Sequence, residues 1–72
     1  MTKQDLVIRL HQLDPGATLT IEEGVLAEAF GADALSTDLV ELIESFALEQ
    51  RCIFAYDEHR RHPPRFEKDD IF

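Results

Sequence analysis

Hydrophobic residues recur every three or four positions in three segments of the chain, and this spacing predicts three amphipathic helices. The expected bounds are Lys3–Leu13, a segment from a capping box in Thr20–Glu23 to Gly31, and Thr37–Gln50. Thr2 and Asp5 form another capping box before the first helix, and Ser36 or Thr37 caps the third. Asp14–Gly16 ends the first helix, because Pro disfavours helical geometry in the residue before it.

Two other segments alternate between apolar and polar residues, which is typical of half-buried strands. Ala17–Ile21 predicts a short strand after the first helix, and Cys52–Tyr56 predicts a second strand. A return strand is expected to begin at Arg65, after two prolines that confine its start to an edge or a loop. The last two strands therefore form a hairpin with a long, charged tip.

The predicted fold is α+β, with three helices, a short strand after the first helix and a C-terminal β-hairpin. We expect a single small domain over residues 1–72, in which residues 67–72 are a free or docked tail. The predicted core consists of Leu6, Leu10, Leu13, Leu19, Ile21, Val25, Leu26, Phe30, Leu39, Ile43, Phe46, Ile53 and Phe54.

The chain is strongly acidic, since 15 acidic residues oppose 7 basic ones and leave a net charge of −8. Such a charge repels phosphate backbones and anionic lipid and attracts cationic surfaces. The single Cys52 rules out an internal disulfide, and no segment has the pattern of a signal peptide or membrane span, so we expect a cytoplasmic protein. A chain of 72 residues leaves little room for an enzyme cleft, and we expect a non-catalytic protein without a cofactor.

The predicted third helix carries only negative charge on its polar face. This acidic face consists of Asp38, Glu41, Glu44 and Glu49, and no Lys or Arg occurs in residues 37–50. Solvated helix faces usually mix both signs, because Glu–Lys pairs four residues apart stabilise a helix by about 0.2–0.5 kcal/mol. Two interpretations stay open: a binding face for a cationic protein, and an ordinary solvated face.

Basic residues gather in the predicted hairpin and form a secondary basic patch. Its members are His59, Arg60, Arg61, His62 and Arg65. The two imidazoles lie near Cys52 and Asp57, but a structural zinc site needs four ligands, usually rich in thiolate, so no metal site is predicted. The same residue types occur in thiol catalysis, yet no nucleophile motif accompanies them. We expect Cys52 to point inward as a small apolar residue.

The order helix, short strand, helix, helix, hairpin resembles a winged helix, in which the second and third helices form a helix-turn-helix and the hairpin is the wing. Two stretches resemble small excisionase and MerR-like domains: Leu19–Glu23 with Leu26–Gly31, and Arg65–Ile71 at the close of the wing. In that family the second helix of the motif carries Arg, Lys, Asn or Gln to base edges. The corresponding helix, Thr37–Gln50, carries four carboxylates instead. The resemblance implies a small regulatory protein of a phage or mobile element, while the charge opposes direct reading of DNA.

The favoured function is a small acidic interaction module that binds and regulates, or inhibits, a partner protein with a basic surface. The alternative is a winged-helix DNA-binding accessory of the excisionase type, which contacts the DNA backbone through the basic hairpin. A homodimer is a further option, because so small a core could leave Phe30, Leu48 or Phe72 exposed for a second copy to cover.

Overall fold

The computed structural model describes residues 1–59 and 61–70. The elements in this part of the chain are α1 (Lys3–Gln12), β1 (Thr18–Thr20), α2 (Glu23–Ala29), α3 (Thr37–Glu49), β2 (Cys52–Ala55) and β3 (Arg65–Lys68). The predicted α+β fold of three helices, a short strand and a C-terminal hairpin is confirmed, and its element order is compatible with a winged helix. None of the described helices is long and apolar enough to cross a membrane.

The three strands form an antiparallel sheet in the order β1-β3-β2, so the last strand lies in the middle. Phe66 of β3 is opposite Leu19 of β1 on one side and opposite Phe54 of β2 on the other. The side chain of Phe66 is fully buried, and its ring centroid lies 5.0 Å from that of Phe54. The sheet is therefore organised around a residue that the predicted core omits.

The end of β3 extends into residues 67–72, the segment predicted to be a free or docked tail. Glu67 pairs with Thr18 of β1 and Ile53 of β2, and Lys68 pairs with Cys52 of β2. Residues 71–72 lie outside the described part of the chain. The strand begins directly after Pro64, whose carbonyl accepts a hydrogen bond from the Ile21 amide at 3.0 Å. Proline removes only its own N–H donor, so it can precede a central strand without breaking the ladder.

Side-chain caps begin two of the helices as the sequence predicts. The Thr2 hydroxyl accepts a hydrogen bond from the Asp5 amide, and the Asp5 carboxylate accepts one from the Thr2 amide, each at 3.1 Å. The Ser36 hydroxyl accepts a hydrogen bond from the Leu39 amide at 3.2 Å, so Ser36 and not Thr37 caps α3. These bonds satisfy amide donors that have no partner within the helix.

The second helix begins differently from the prediction. Glu22 occupies the N-cap position and makes no side-chain capping bond, so the capping box predicted in Thr20–Glu23 is wrong. The reason lies in the sheet, because Thr20 is the last residue of β1 and pairs with Arg65. The helix ends one residue earlier than predicted, because Phe30 and not Gly31 is the C-cap. Gly31 follows with a φ of 74°, which glycine adopts without a steric penalty.

The core lies between the helices and one face of the sheet. Members of the predicted core that are buried are Leu6, Leu10, Ile21, Leu26, Ile43, Phe46 and Phe54. Those that pack against it while partly buried are Leu13, Leu19, Val25, Phe30 and Leu39. The prediction that Ile53 is a core residue is wrong, because its side chain is 56% exposed. Successive strand residues face opposite sides, and Cys52 and Phe54 point inward, so Ile53 lies on the outer face of the sheet.

One lysine joins the sheet to the ends of two helices. The Lys68 ammonium donates to the carbonyl of Leu10, near the end of α1, at 3.1 Å, and to that of Gln50, the C-cap of α3, at 3.4 Å. The last carbonyls of a helix lack partners within the helix and carry its partial negative charge, which a cation stabilises. Lys68 thereby helps to fix the direction of α3 relative to the sheet.

Candidate functional site

The acidic face predicted on α3 is exposed to solvent in the structure. The opposite face of the helix packs into the core through Ile43, Phe46 and Ala47, and this contact sets the rotation of α3 about its axis. As a result, the exposed side chains include all four predicted carboxylates, Asp38, Glu41, Glu44 and Glu49. The sequence therefore predicted correctly on which side of α3 these groups lie.

Two of these carboxylates, together with a third from outside the helix, line an open groove of about 520 Å³. Glu41 and Glu44 come from α3, and Glu58 comes from the segment after β2. The remaining lining residues are Leu35, Ser36, Thr37, Val40 and Tyr56. We call this feature the acidic groove, since none of its lining residues is Lys or Arg.

Tyr56 forms a wall of the acidic groove. Its hydroxyl donates a hydrogen bond to the Glu23 carboxylate of α2 at 3.1 Å, and its ring is stacked near that of Phe54, with centroids 6.3 Å apart. The two contacts hold the phenol in place. An aromatic ring beside carboxylates suits a cationic side chain, because the ring face attracts positive charge while the carboxylates pair with it.

The other two members of the acidic face do not line the groove. Asp38 is not among its lining residues, and Glu49 lies near the far end of α3 beside Arg51 and Lys68. The sequence did not indicate Glu58, because its position depends on how the segment after β2 passes α3. The structure thus reduces the predicted set to Glu41 and Glu44 at the groove and adds Glu58.

The secondary basic patch is divided. His59, Arg61 and His62 are exposed in the loop between β2 and β3, while Arg60 lies outside the described residues. Arg65 belongs to β3, and its Nε lies 3.2 Å from the Glu67 carboxylate in a half-buried ion pair. The charge of Arg65 is therefore partly neutralised within the sheet, and it does not reinforce the loop.

Asp57 organises the beginning of that loop. Its carboxylate accepts hydrogen bonds from the backbone amides of His59 at 2.9 Å and Arg61 at 3.1 Å. The amide of His59, followed by that of Arg61, stabilises the charged form, so the pKa of Asp57 lies below its ordinary value. The carboxylate acts as a structural acceptor for the loop that carries the remaining basic residues.

Cys52 is buried, as the alternation predicts, and its thiol donates a weak hydrogen bond to the Gln50 carbonyl at 3.4 Å. Burial raises the pKa of the Cys52 thiol, so the nucleophilic thiolate is disfavoured at neutral pH. Within residues 1–59 and 61–70, no three His, Cys, Asp or Glu side chains are grouped as ligands for a metal ion.

Comparison of the chain with protein-family models, curated proteins and solved structures finds no match in any of the three. The resemblance to excisionase and MerR-like domains stays a prediction. The interpretation of the site rests on its own geometry: an acidic groove between α3 and the segment after β2, beside an exposed and uniformly acidic helix face.

Proposed function

We propose that the chain is a small acidic, non-catalytic interaction module that binds a partner protein through a basic surface and regulates or inhibits that partner. The main support is that Glu41, Glu44 and Glu58 line one open groove whose lining contains no Lys or Arg. Like charges held close together repel one another, and a bound cation relieves this repulsion. The net charge of −8 would also steer a basic surface toward the groove before contact.

The groove suits an Arg or Lys side chain of the partner. Val40 and Leu35 supply an apolar part of its lining, against which the aliphatic stem of such a side chain can pack. Glu41 and Glu44 can accept its hydrogen bonds, and the ring of Tyr56 offers a further contact. The partner would therefore place at least one basic side chain in the groove and others along the acidic face.

Nucleic acid is the less suitable partner for this surface. If the winged-helix resemblance holds, α3 is the helix that would enter the major groove, where it would bring carboxylates toward phosphates. Neutralising the charge of a phosphate takes a Lys or Arg side chain, and α3 contains neither. The same helix face that repels a duplex attracts a basic protein.

Capture from the native host tests this proposal. The immobilised chain should retain a basic protein that salt elutes, and the purified partner should then be titrated with variants. The double variant Glu41→Lys with Glu44→Lys should lower its affinity at least tenfold. Glu28→Lys with Asp33→Lys is a matched control, because both residues are exposed away from the groove and the change in net charge is identical. Equal losses for the two double variants, or no loss for the first, would refute the proposal.

A DNA-binding accessory role is the second candidate, favoured by the exposed His59, Arg61 and His62 in the β2–β3 loop. This role predicts binding of a short DNA duplex at low salt that weakens when Arg60 and Arg61 are both changed to Ala. A mobility-shift titration with the duplex measures this binding. No shift of the duplex at low ionic strength would remove this candidate and leave the first unaffected.

A further inference from the structure

We infer that the binding face of α3 contains an apolar anchor, formed by Leu42 and Leu48, which docks into an apolar depression on a partner protein whose rim carries Lys or Arg. The inference rests on the proposed function, because it concerns the same helix. Its starting observation is that the two leucine side chains are 54% and 69% exposed, respectively. Both are far more exposed than the residues that pack α3 into the core.

The two leucines belong to one oblique row on the helix surface. Residues three apart form such rows, and successive members are turned by about 60° around the axis. Leu42, Ser45 and Leu48 follow this spacing, and all three are exposed. We call them the leucine row. Its exposed central residue is small, so a partner can approach between the two leucines.

The neighbouring row is acidic. It consists of Asp38, Glu41 and Glu44. Glu41 and Glu44 also line the acidic groove, so the acidic row lies between the groove and the leucine row. Glu49 follows Leu48 and adds a carboxylate near the other end of the helix. An apolar centre bordered by charge is the usual composition of a protein-binding patch, in which the apolar part supplies affinity and the charges supply orientation.

Within the described residues, neither Leu42 nor Leu48 belongs to the core or is among the partly buried residues packed against it. The buried side of α3 is formed by Ile43, Phe46 and Ala47 instead. Among the described residues, two other large apolar side chains are exposed, Ile8 and Ile53, and they lie singly on α1 and β2. Single exposed apolar residues are ordinary. Leu42 and Leu48 lie about 9 Å apart along α3 and about 120° apart around its axis, on either side of Ser45, so a partner that covers this side of the helix would contact both leucines and the neighbouring carboxylates.

Charge complementarity selects the occupant. A second copy of the chain would bring its own acidic row against this one, with a net charge of −8 on each molecule. A duplex would bring phosphates and no apolar depression. A protein surface with an apolar centre and a rim of Lys or Arg complements both rows at once, so we assign the anchor to such a partner.

Two synthetic helical peptides of equal charge test the inference. One carries a Leu stripe bordered by Lys, and in the other every Leu is replaced by Gln. The wild-type chain should bind the Leu/Lys peptide at least tenfold more tightly than the Gln/Lys peptide in a fluorescence-anisotropy titration. Leu42→Gln with Leu48→Gln should abolish this difference, while Ile8→Gln, an exposed position on α1, should preserve it.

The outcomes separate the inference from the proposed function. If the leucine variant discriminates between the peptides as well as wild type does, or wild type does not discriminate, the anchor is refuted even where both peptides bind. If Glu41→Lys with Glu44→Lys leaves the affinity for both peptides unchanged, the proposed function fails. Sedimentation equilibrium of the chain alone adds one outcome: a dimer that Leu42→Gln with Leu48→Gln dissociates would assign the leucine row to a second copy and overturn the inference.

Discussion

Phe66 shows how much of the fold depends on a single side chain. It is fully buried, it lies in the middle strand, and its ring contacts that of Phe54. A chain of 72 residues buries only about 60% of the surface that its unfolded form exposes, so its margin of stability is small. The free energy lost with one large core side chain is therefore a large fraction of the total stability.

Phe66→Ala should lower the free energy of unfolding by about 3–5 kcal/mol, because it removes a buried ring and leaves a cavity. A urea titration followed by circular dichroism should show a midpoint near zero denaturant or no cooperative transition. Ile53→Ala is the control, since an exposed residue on the outer face should change the free energy by less than about 0.5 kcal/mol. Similar effects of the two substitutions would contradict the assignment of the core.

The capping box at the start of α1 predicts a dependence of stability on pH. The Thr2 amide, and then the Thr2 hydroxyl, stabilises the Asp5 carboxylate, so the pKa of Asp5 is lower in the folded chain than its ordinary value. A lowered folded pKa contributes stability above the unfolded pKa, about 3.9, and this contribution disappears as the pH falls through the folded value.

Asp5→Asn should therefore be less stable than wild type at neutral pH, and the two proteins should converge in strong acid. Urea midpoints of both proteins, measured from neutral pH down to about pH 2, below the ordinary Asp value, check this expectation. A difference that stays constant over the whole range would show that the Asp5 charge has no part in the cap.

At the scale of elements, the local sequence pattern predicted the helices and most of their caps, which depend on residues close together in the chain. Helix periodicity identified all three described helices, the cap at Thr2 was recognised, and Ser36 was one of the two caps predicted for α3. The capping box at Thr20 failed because pairing with Arg65, 45 positions later, holds that residue in a strand. A contact between residues so far apart in the chain leaves no mark in the local pattern.

The strand residues were misplaced for two different reasons. The alternation in Cys52–Ala55 is correct, and with Cys52 and Phe54 on the inner face it places Ile53 on the outer face, so the prediction of both Ile53 and Phe54 in the core was inconsistent with that alternation. Glu67 and Lys68 are too polar to indicate a strand, yet they pair because β3 has a neighbour on each side. Strand propensity depends strongly on such neighbours.

Lys68→Met should detach the sheet from the ends of α1 and α3. The variant keeps the aliphatic length and loses the ammonium donors to the carbonyls of Leu10 and Gln50, so we expect a loss of about 1–2 kcal/mol in the free energy of unfolding. Arg9→Met, on the exposed side of α1, is the control and should have a smaller effect. Chemical denaturation of both variants measures the two losses in the free energy of unfolding.

At the scale of the whole molecule, the concentration of negative charge lowers stability. The net charge of −8 repels itself, and part of it is concentrated at the acidic groove and on the acidic face of α3. The residues on α3 were predictable, because helix rotation follows from its apolar side. The contribution of Glu58 to the acidic groove was not predictable, because no spacing rule relates a loop residue to a helix surface.

Reducing this self-repulsion should stabilise the chain. Glu41→Lys with Glu44→Lys should raise the free energy of unfolding at low salt by a few tenths of a kcal/mol, about the value of like-charge helix neighbours. The advantage over wild type should shrink as NaCl is added, since salt screens both proteins. Thermal unfolding at low and high salt measures this difference in stability. A variant less stable than wild type at low salt would show that the carboxylates support the fold.

The central position of β3 also governs the order in which the protein can acquire its structure during synthesis. β1 and β2 have no hydrogen bonds to each other and share only β3 as a partner, which is the last described element to be translated. While β3 is still within the ribosome, the sheet cannot form, because Leu19 and Phe54 have no opposite strand. Cooperative folding must therefore wait for Arg65–Lys68 to emerge, and until then the unpaired strands are exposed to chaperones and to aggregation.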